Sequence, residues 1–390
     1  MNLPAPPEIR PKICIVSTTP LIVHFFLREH IKALSISSEI LLVVNPDNDT
    51  YTPALDLPVR LIPIKIQRRI AIVDDLLALR QLYDLLKNEK PDLVWAIAPK
   101  AGLIGMLASL LAGIKHRVFL FQGEVWAARS GLSRYLLKTA DKITSFCANH
   151  ILVVSHSEQG FLETEGVIQV GKSTVLGGGS ISGVNLDRFK PDLNLRISCR
   201  AEHNIPENAL VCLFLGRITS DKGVYDLANA FAYVSKAHPE LWLVFVGPDE
   251  ENVSKRIFFC CGTAANRVLI NGFTDKPEEF LAMADFLCLP SYREGFGMVV
   301  LEAAAFGIPA IGSRIYGVSD AIIDEVSGLL FSVGNEIDLA EQINRLASDP
   351  GLRVRLGRAA RDRVLSQFSE SDVVDRYIKF INGLIERDRH

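Results

Sequence analysis

Pro290-Ser-Tyr-Arg-Glu-Gly-Phe-Gly-Met-Val-Val-Leu-Glu302 follows an apolar run, Asp285–Leu289, and opens an Ala-rich stretch, Val299–Phe306. An apolar run, a glycine turn and then a helical pattern form the strand–turn–helix unit of a covered parallel sheet. Gly295 and Gly297 remove side chains where the turn meets the helix. Backbone N–H groups then lie bare at a positive helix end, a ready anion site. Glu294 stands in the turn, and Glu302 follows eight residues on, placed to face the same crevice. A carboxylate at each place can accept hydrogen bonds from sugar hydroxyls. The plainer reading is a glycine turn with two surface glutamates.

Upstream, Leu215-Gly216-Arg217-Ile-Thr-Ser-Asp-Lys222-Gly223 repeats the arrangement: a strand ends, a turn follows, and a helix begins at Val224. A fork-shaped guanidinium and a compact ammonium converging beside a helix start suit a diphosphate. Taken alone, two solvated loop cations would read the same way.

Working outward, short Val/Ile/Leu runs alternate with helical patterns along the whole chain. Strands are expected near Lys12–Ser17, Glu39–Val44, Val59–Ile64, Asp92–Ile97, Arg117–Phe121, His150–Ser155 and Ser173–Leu176. After Gly177-Gly178-Gly179-Ser180 and a polar stretch to Arg200, read as hinge and linker, the pattern restarts. Further strands are expected at Leu210–Leu215, Leu241–Val246, Arg267–Ile270, Asp285–Leu289 and Ala310–Ile311. The fold class is therefore α/β: two doubly wound, Rossmann-like domains in tandem. The expected bounds are 1–185 and 186–368, with an amphipathic helix over 369–390. Such folds bind ligands at the carboxyl ends of their strands, here in an interdomain cleft.

Composition narrows the function. The chain has 390 residues, 48% hydrophobic and 22% charged, with a net charge of -3. No basic field points to nucleic acid. The seven cysteines show no CxxC or Cys/His spacing for zinc and read as reduced core thiols. The N-terminus lacks a signal-peptide h-region, and the apolar stretch Leu93–Ile114 is interrupted by Pro99, Lys100 and glycines. The expected location is cytoplasmic. Asp47-Asn-Asp49 is DxD-like but lies far from the C-terminal motifs, so no metal site is expected.

In this order, the two motifs resemble those of the retaining GT-B glycosyltransferases of family 4. PSYREGFGMVVLEAAAFGIPAIGS resembles their E-x7-E segment and GRITSDKG their phosphate-binding segment. FFLREHIKALS, PKAGLIGMLASLLAG and VLGGGSISGVNLDRF extend the likeness over nearly the whole chain. It is nearest to enzymes that build capsule, O-antigen or lipid-linked oligosaccharides. The resemblance implies a GT-B fold whose C-terminal helix packs back on the N-terminal domain. It also implies transfer from a nucleotide sugar, typically a UDP-sugar, to a saccharide or polyprenyl-diphosphate-linked acceptor. Gly216, Arg217 and Lys222 would hold the diphosphate, with Arg217, Lys222 and Glu294 as the catalytic set. Glu294, with the amides of Gly295, Phe296, Gly297 and Met298, would hold the sugar. Glu302 would bind the ribose, and Asn271-Gly272-Phe273 would lie by the base. Neither cofactor nor metal is implied.

The N-terminal half departs from the family pattern. Gln122, in Phe121-Gln122-Gly123-Glu124, stands where many relatives carry a histidine. Thr18, His24, Lys100, Gln122 and Glu124 are the acceptor-side candidates. Arg129, Arg134, Lys138 and Lys142 fall on or beside one amphipathic helix and could face anionic lipid, or simply solvent. Two other functions fit the same architecture. A sugar-nucleotide 2-epimerase would need acid/base groups that the N-terminal half scarcely offers. A non-catalytic binding partner would have no need for the intact motif set.

Overall fold

The computed structural model describes residues 10–48, 56–69 and 71–387. Asp49 of the DxD-like triplet lies outside them. The chain divides into two compact units, Met1–Ser182 with Val373–His390 and Gly183–Asp372.

The first unit is built on seven strands: β1 Lys12–Val16, β2 Glu39–Val44, β3 Arg60–Pro63, β4 Leu93–Ile97, β5 His116–Phe121, β6 His150–Val153 and β7 Ser173–Thr174. They lie in the order β3-β2-β1-β4-β5-β6-β7, all parallel. Every residue of β4 is buried, as expected of a central strand covered by helices on both faces. The second unit carries β8 Leu210–Leu215, β9 Leu241–Val246, β10 Val268–Asn271, β11 Phe286–Leu289, β12 Ala310–Ser313 and β13 Gly328–Phe331. Their order is β10-β9-β8-β11-β12-β13, again all parallel.

In both sheets the order in which strands are added reverses beside the first strand, between β1 and β4 and between β8 and β11. Ligands of open parallel sheets bind outside the carboxyl ends at such switch points. Thr18 and Lys100 follow β1 and β4. The loops beginning at Gly216 and Pro290 follow β8 and β11.

Two features differ from expectation. Strand β13 is a four-residue run among polar neighbours, too short to stand out by periodicity. The stretch read as linker contains a helix, Leu193–Glu202, capped by Asp192. Its guanidiniums explain its order. Arg196 and Arg200 both grip Asp285, at 2.6 Å and 3.0 Å, and take the carbonyls at the end of the helix Pro277–Met283.

The final helix, Glu370–Glu386, joins the first unit. Tyr377 stacks on Trp95 at 5.8 Å, meets His30 edge-on at 5.0 Å, and donates to the Ser180 carbonyl at 3.1 Å. The helix therefore packs back on the N-terminal unit, and Ser180, the last residue of the expected hinge, is one of its anchors.

Candidate functional site

At the switch point of the second unit, two loops are fitted to each other. The loop after β8 tightens into a single turn, Ser220–Lys222, before the helix Val224–Val234. Gly223 joins them with φ +69, and a Cβ there would stand 2.1 Å from the Pro290 carbonyl oxygen. Only glycine meets both demands. The Tyr292 N–H then donates to the Asp221 carbonyl at 2.9 Å. The loop after β11 ends at Gly297, φ +85, which caps the helix Met298–Ala305. Two helix starts, with their positive dipole ends, therefore lie at one end of the sheet.

The side chains follow from that fit. Lys222 Nζ donates to Glu294 Oε1 at 2.5 Å, and the Ser291 hydroxyl donates to the same oxygen at 2.9 Å. Both members of the ion pair are mostly covered. Arg217 is farther out. It pairs with Glu250 at 3.0 Å and stands 4.0 Å from Asp221. Lys222 and Arg217 thus flank Asp221 and do not touch. Burial pushes the Asp221 carboxyl up, but the Thr219 hydroxyl, Arg217, Lys222 and Arg293 outweigh it and hold it below its ordinary range. Arg293, 3.6 Å from Asp221, is a third cation that the sequence reading passed over although it lies inside the quoted motif. Ser291 was missed in the same way.

Glu302 sits in a different environment. It is partly accessible to solvent yet enclosed by protein. Desolvation pushes its carboxyl up to about 7, opposed by Arg188 and reinforced by Glu278. Arg188 is itself bound to Glu278 at 2.7 Å. Phe296 is buried against Phe368, centroids 5.5 Å apart. Asn271 ends β10, and its carbonyl and that of Gly272 both receive the Gly247 N–H at 3.1 Å. Phe273 follows, with its ring about half exposed.

In the first unit the acceptor-side candidates scatter. Thr18 is buried, and Thr19 caps the short helix Pro20–Ile22. His24 lies in the following π-helix, Val23–Leu27, edge-on to Phe25. Lys100 is ion-paired with Asp75 at 2.7 Å, so any ligand there must displace a carboxylate. Gln122 follows β5, and its Nε2 has no hydrogen-bond partner among the described residues. Glu124 is fully buried beside Glu158, which the sequence reading did not single out.

The helix Gly131–Cys147 corrects an expectation. Arg134 and Lys138 turn inward to Glu165, at 2.9 Å and 2.7 Å, and cover the Trp126 ring. Its outward stripe is apolar: Leu132, Tyr135, Leu136, Ile143 and Phe146 are 43% to 83% exposed. Arg129 and Lys142 alone of the four cations stay at the surface. Among the described residues no helix is long and apolar enough to cross a membrane, and no three His, Cys, Asp or Glu side chains gather around a metal position.

A family described as glycosyl transferases group 1 matches residues 196–363, and one described as a glycosyl transferase 4-like domain matches residues 27–177. The capsular polysaccharide biosynthesis glycosyltransferase CapM of Staphylococcus aureus is 30% identical over 325 residues, covering 83% of this chain and 85% of that protein. The UDP-Gal:alpha-D-GlcNAc-diphosphoundecaprenol alpha-1,3-galactosyltransferase of Escherichia coli is 25% identical over 313 residues, covering 79% and 80%. The solved structure of sucrose-phosphate synthase from Thermosynechococcus elongatus superposes with a TM-score of 0.80 at 21% identity, covering 97% of this chain and all of that one.

Proposed function

The chain belongs to the GT-B glycosyltransferases of family 4, and from that premise we propose that it moves a sugar from a UDP-sugar to a saccharide or polyprenyl-diphosphate-linked acceptor, with retention, in surface polysaccharide synthesis. The observation that carries the donor half is the fit of the two loops at one switch point. Gly223 lies against Pro290, and Lys222 is bonded to Glu294. A cation, a carboxylate and two helix starts thereby converge on one place.

In this reading Lys222 and Arg217 take the donor diphosphate, which replaces Glu294 and Glu250 as their anionic partners. Glu294 is released to accept from hydroxyls of the transferred sugar. Glu302 accepts from the ribose, and Phe273 lies by the base. As the bond from the sugar to the diphosphate breaks, negative charge grows on the departing oxygen. Cations already positioned there stabilise it, with no protein nucleophile and no metal required. The acceptor hydroxyl bonds to the sugar carbon on the face the diphosphate leaves, and its proton goes to the departing oxygen.

The acceptor class rests on the relatives, one of which is named for a diphosphoundecaprenol substrate. The apolar stripe on the helix Gly131–Cys147 supports peripheral contact with the cytoplasmic face of a membrane, where such an acceptor is held.

The test is transfer itself. The purified protein, a panel of UDP-, GDP- and ADP-sugars and a polyprenyl-diphosphate-linked saccharide should give nucleoside diphosphate and an α-linked product, in EDTA as well as in Mg²⁺. Lys222→Ala should slow turnover on the order of 100-fold, the usual cost of one charged contact to a leaving group. Sugar isomerisation without acceptor, or a folded Lys222→Ala protein with full turnover, would overturn the reading.

A further inference from the structure

The buried face of the helix His156–Thr164 holds a group that the donor chemistry leaves unused. Glu158 is 0% exposed and Glu124 1% exposed. They meet beyond the carboxyl ends of β6 and β5. Glu158 is fixed from its own side, since Ser155 caps its N–H at 3.1 Å. Its Oε1 accepts the N–H of Gly123, the residue between Gln122 and Glu124. The same helix supplies Phe161, which stacks on Trp126 at 5.3 Å. The segment Gln122–Trp126 is thus held at both ends by one helix.

Two carboxylates in a sealed space oppose each other's ionisation, so the pair holds a proton to a higher pH than either would alone. We propose that Glu158 is a positioning residue: with Glu124 and one shared proton it fixes the loop Gln122–Trp126, and so sets where Gln122 presents its amide to the acceptor. The acceptor part of this inference rests on the proposed function. The loop part does not.

Burial, and then the charge of Glu124, push Glu158 well above the ordinary carboxyl range, against the Gly123 N–H. Among the described residues no cation pairs with Glu158. Tyr377, from the helix Glu370–Glu386, also faces it and is kept neutral by burial and by that nearby charge. Raising the pH therefore strips the shared proton, leaves two opposed carboxylates and drives the loop away from the helix. Gln at 158 keeps an acceptor for Gly123, donates to Glu124 and has no proton to lose.

The experiment uses the full chain as wild type, E158Q and E158A, each also in a W95F/W242F background that leaves Trp126 as the single tryptophan. Trp126 emission is followed from pH 5 to pH 10, with far-UV circular dichroism to confirm the fold. Hydrogen exchange over residues 121–127 reads the Gly123 amide directly. The wild type should show an alkaline transition in emission and a loss of Gly123 protection, and E158Q should show neither. E158A should show the disturbed loop at every pH. Asp141, bonded to Trp126 at 2.7 Å and pushed up to about 6 by burial, adds a separate step near that pH in all three proteins. With UDP-galactose and an undecaprenyl-diphosphate-linked N-acetylglucosamine, E158A should raise the acceptor KM at least tenfold. Its UDP affinity and the E158Q acceptor KM should stay unchanged. The same alkaline transition in E158Q as in wild type, or an undisturbed loop in E158A, would overturn the proposal. Absence of turnover in the wild type with this pair and with every donor of the panel, with the loop behaving as described, would count against the proposed function alone.

Discussion

Glu294 and Glu302 stand eight residues apart in the chain and in different company. Glu294 is bound to Lys222 and Ser291, while burial pushes the Glu302 carboxyl up to about 7. Their proposed roles divide accordingly. Glu294→Gln keeps size and one acceptor oxygen, so it should cut transfer far more than it weakens free UDP. Glu302→Ala should weaken UDP itself, by roughly 1.5–3 kcal/mol for a lost charged hydrogen bond. Calorimetric UDP affinity beside turnover checks both, and equal loss of UDP affinity in the two variants would contradict the division. Glu302 also predicts a pH effect. Its folded value lies above the ordinary carboxyl value, so the cost of keeping it buried is absent in acid, grows as pH rises from about 4.5, and levels off above about 7. Ribose hydroxyls are best met by the ionised form, so UDP affinity should rise more steeply with pH through about 7 in the wild type than in Glu302→Gln, which keeps only the rise from ionisation of the UDP phosphate itself. An equally steep rise in the variant would remove Glu302 as a contributor. The sequence made both glutamates legible because they flank a glycine turn. It left Arg293 and Glu158 obscure, because their partners, Asp221 and Glu124, lie far off in the chain, whereas Ser291 meets Glu294 only three residues on and was hidden by its commonness in turns.

At the scale of elements, apolar runs located every strand but the last, β13, while only a few of the helices between them were given bounds, and periodicity failed on which way one helix faces. Gly131–Cys147 alternates apolar and polar residues at helical spacing, and such a helix normally turns its polar stripe outward. Here Trp126 and Glu165 draw Arg134 and Lys138 inward, Trp126 also holds Asp141, and the apolar stripe is left outside. Neither partner lies on the helix, so no pattern within it could reveal the inversion. The membrane contact proposed for this helix should therefore depend on apolar insertion more than on charge. Each leucine fully sunk into the interface contributes about 1.5–3 kcal/mol. Liposome flotation should persist in high salt, where exposed cations are screened within a few ångströms. Leu132→Glu with Leu136→Glu should lower vesicle affinity at least tenfold. Both sites are exposed, so stability should change by no more than about 0.5 kcal/mol each. Full release by salt, or unchanged flotation of the double variant, would show that the stripe is not the anchor.

The whole molecule is two sheets of one topology, and the alternation of apolar runs with helical patterns was enough to show this. It could not show that the first unit is discontinuous. The returning segment Val373–His390 completes that unit, and the pairing that fixes it joins residues from opposite ends of the chain: His30, Trp95, Ser180 and Tyr377. An amphipathic helix says that it needs a face, not which one. The discontinuity has a thermodynamic consequence. Tyr377 is fully buried, so Tyr377→Ala removes two aromatic contacts and the hydrogen bond to the Ser180 carbonyl and opens a cavity, at a cost of about 3–5 kcal/mol for an aromatic deletion. That cost belongs to the first unit. UDP, in the proposed reading, stabilises only the second, by about 2.7 kcal/mol at a hundred times its dissociation constant. Calorimetry of Tyr377→Ala should therefore resolve two transitions. The lower should fall by roughly 6–20 °C, at about 2–4 °C per kcal/mol for a domain of this size, and ignore UDP. The upper should keep its wild-type midpoint and rise with UDP. If the UDP-sensitive transition fell as far as the other, the C-terminal helix would be stabilising both units as one cooperative body, and the assignment of its energy to the N-terminal unit would be wrong.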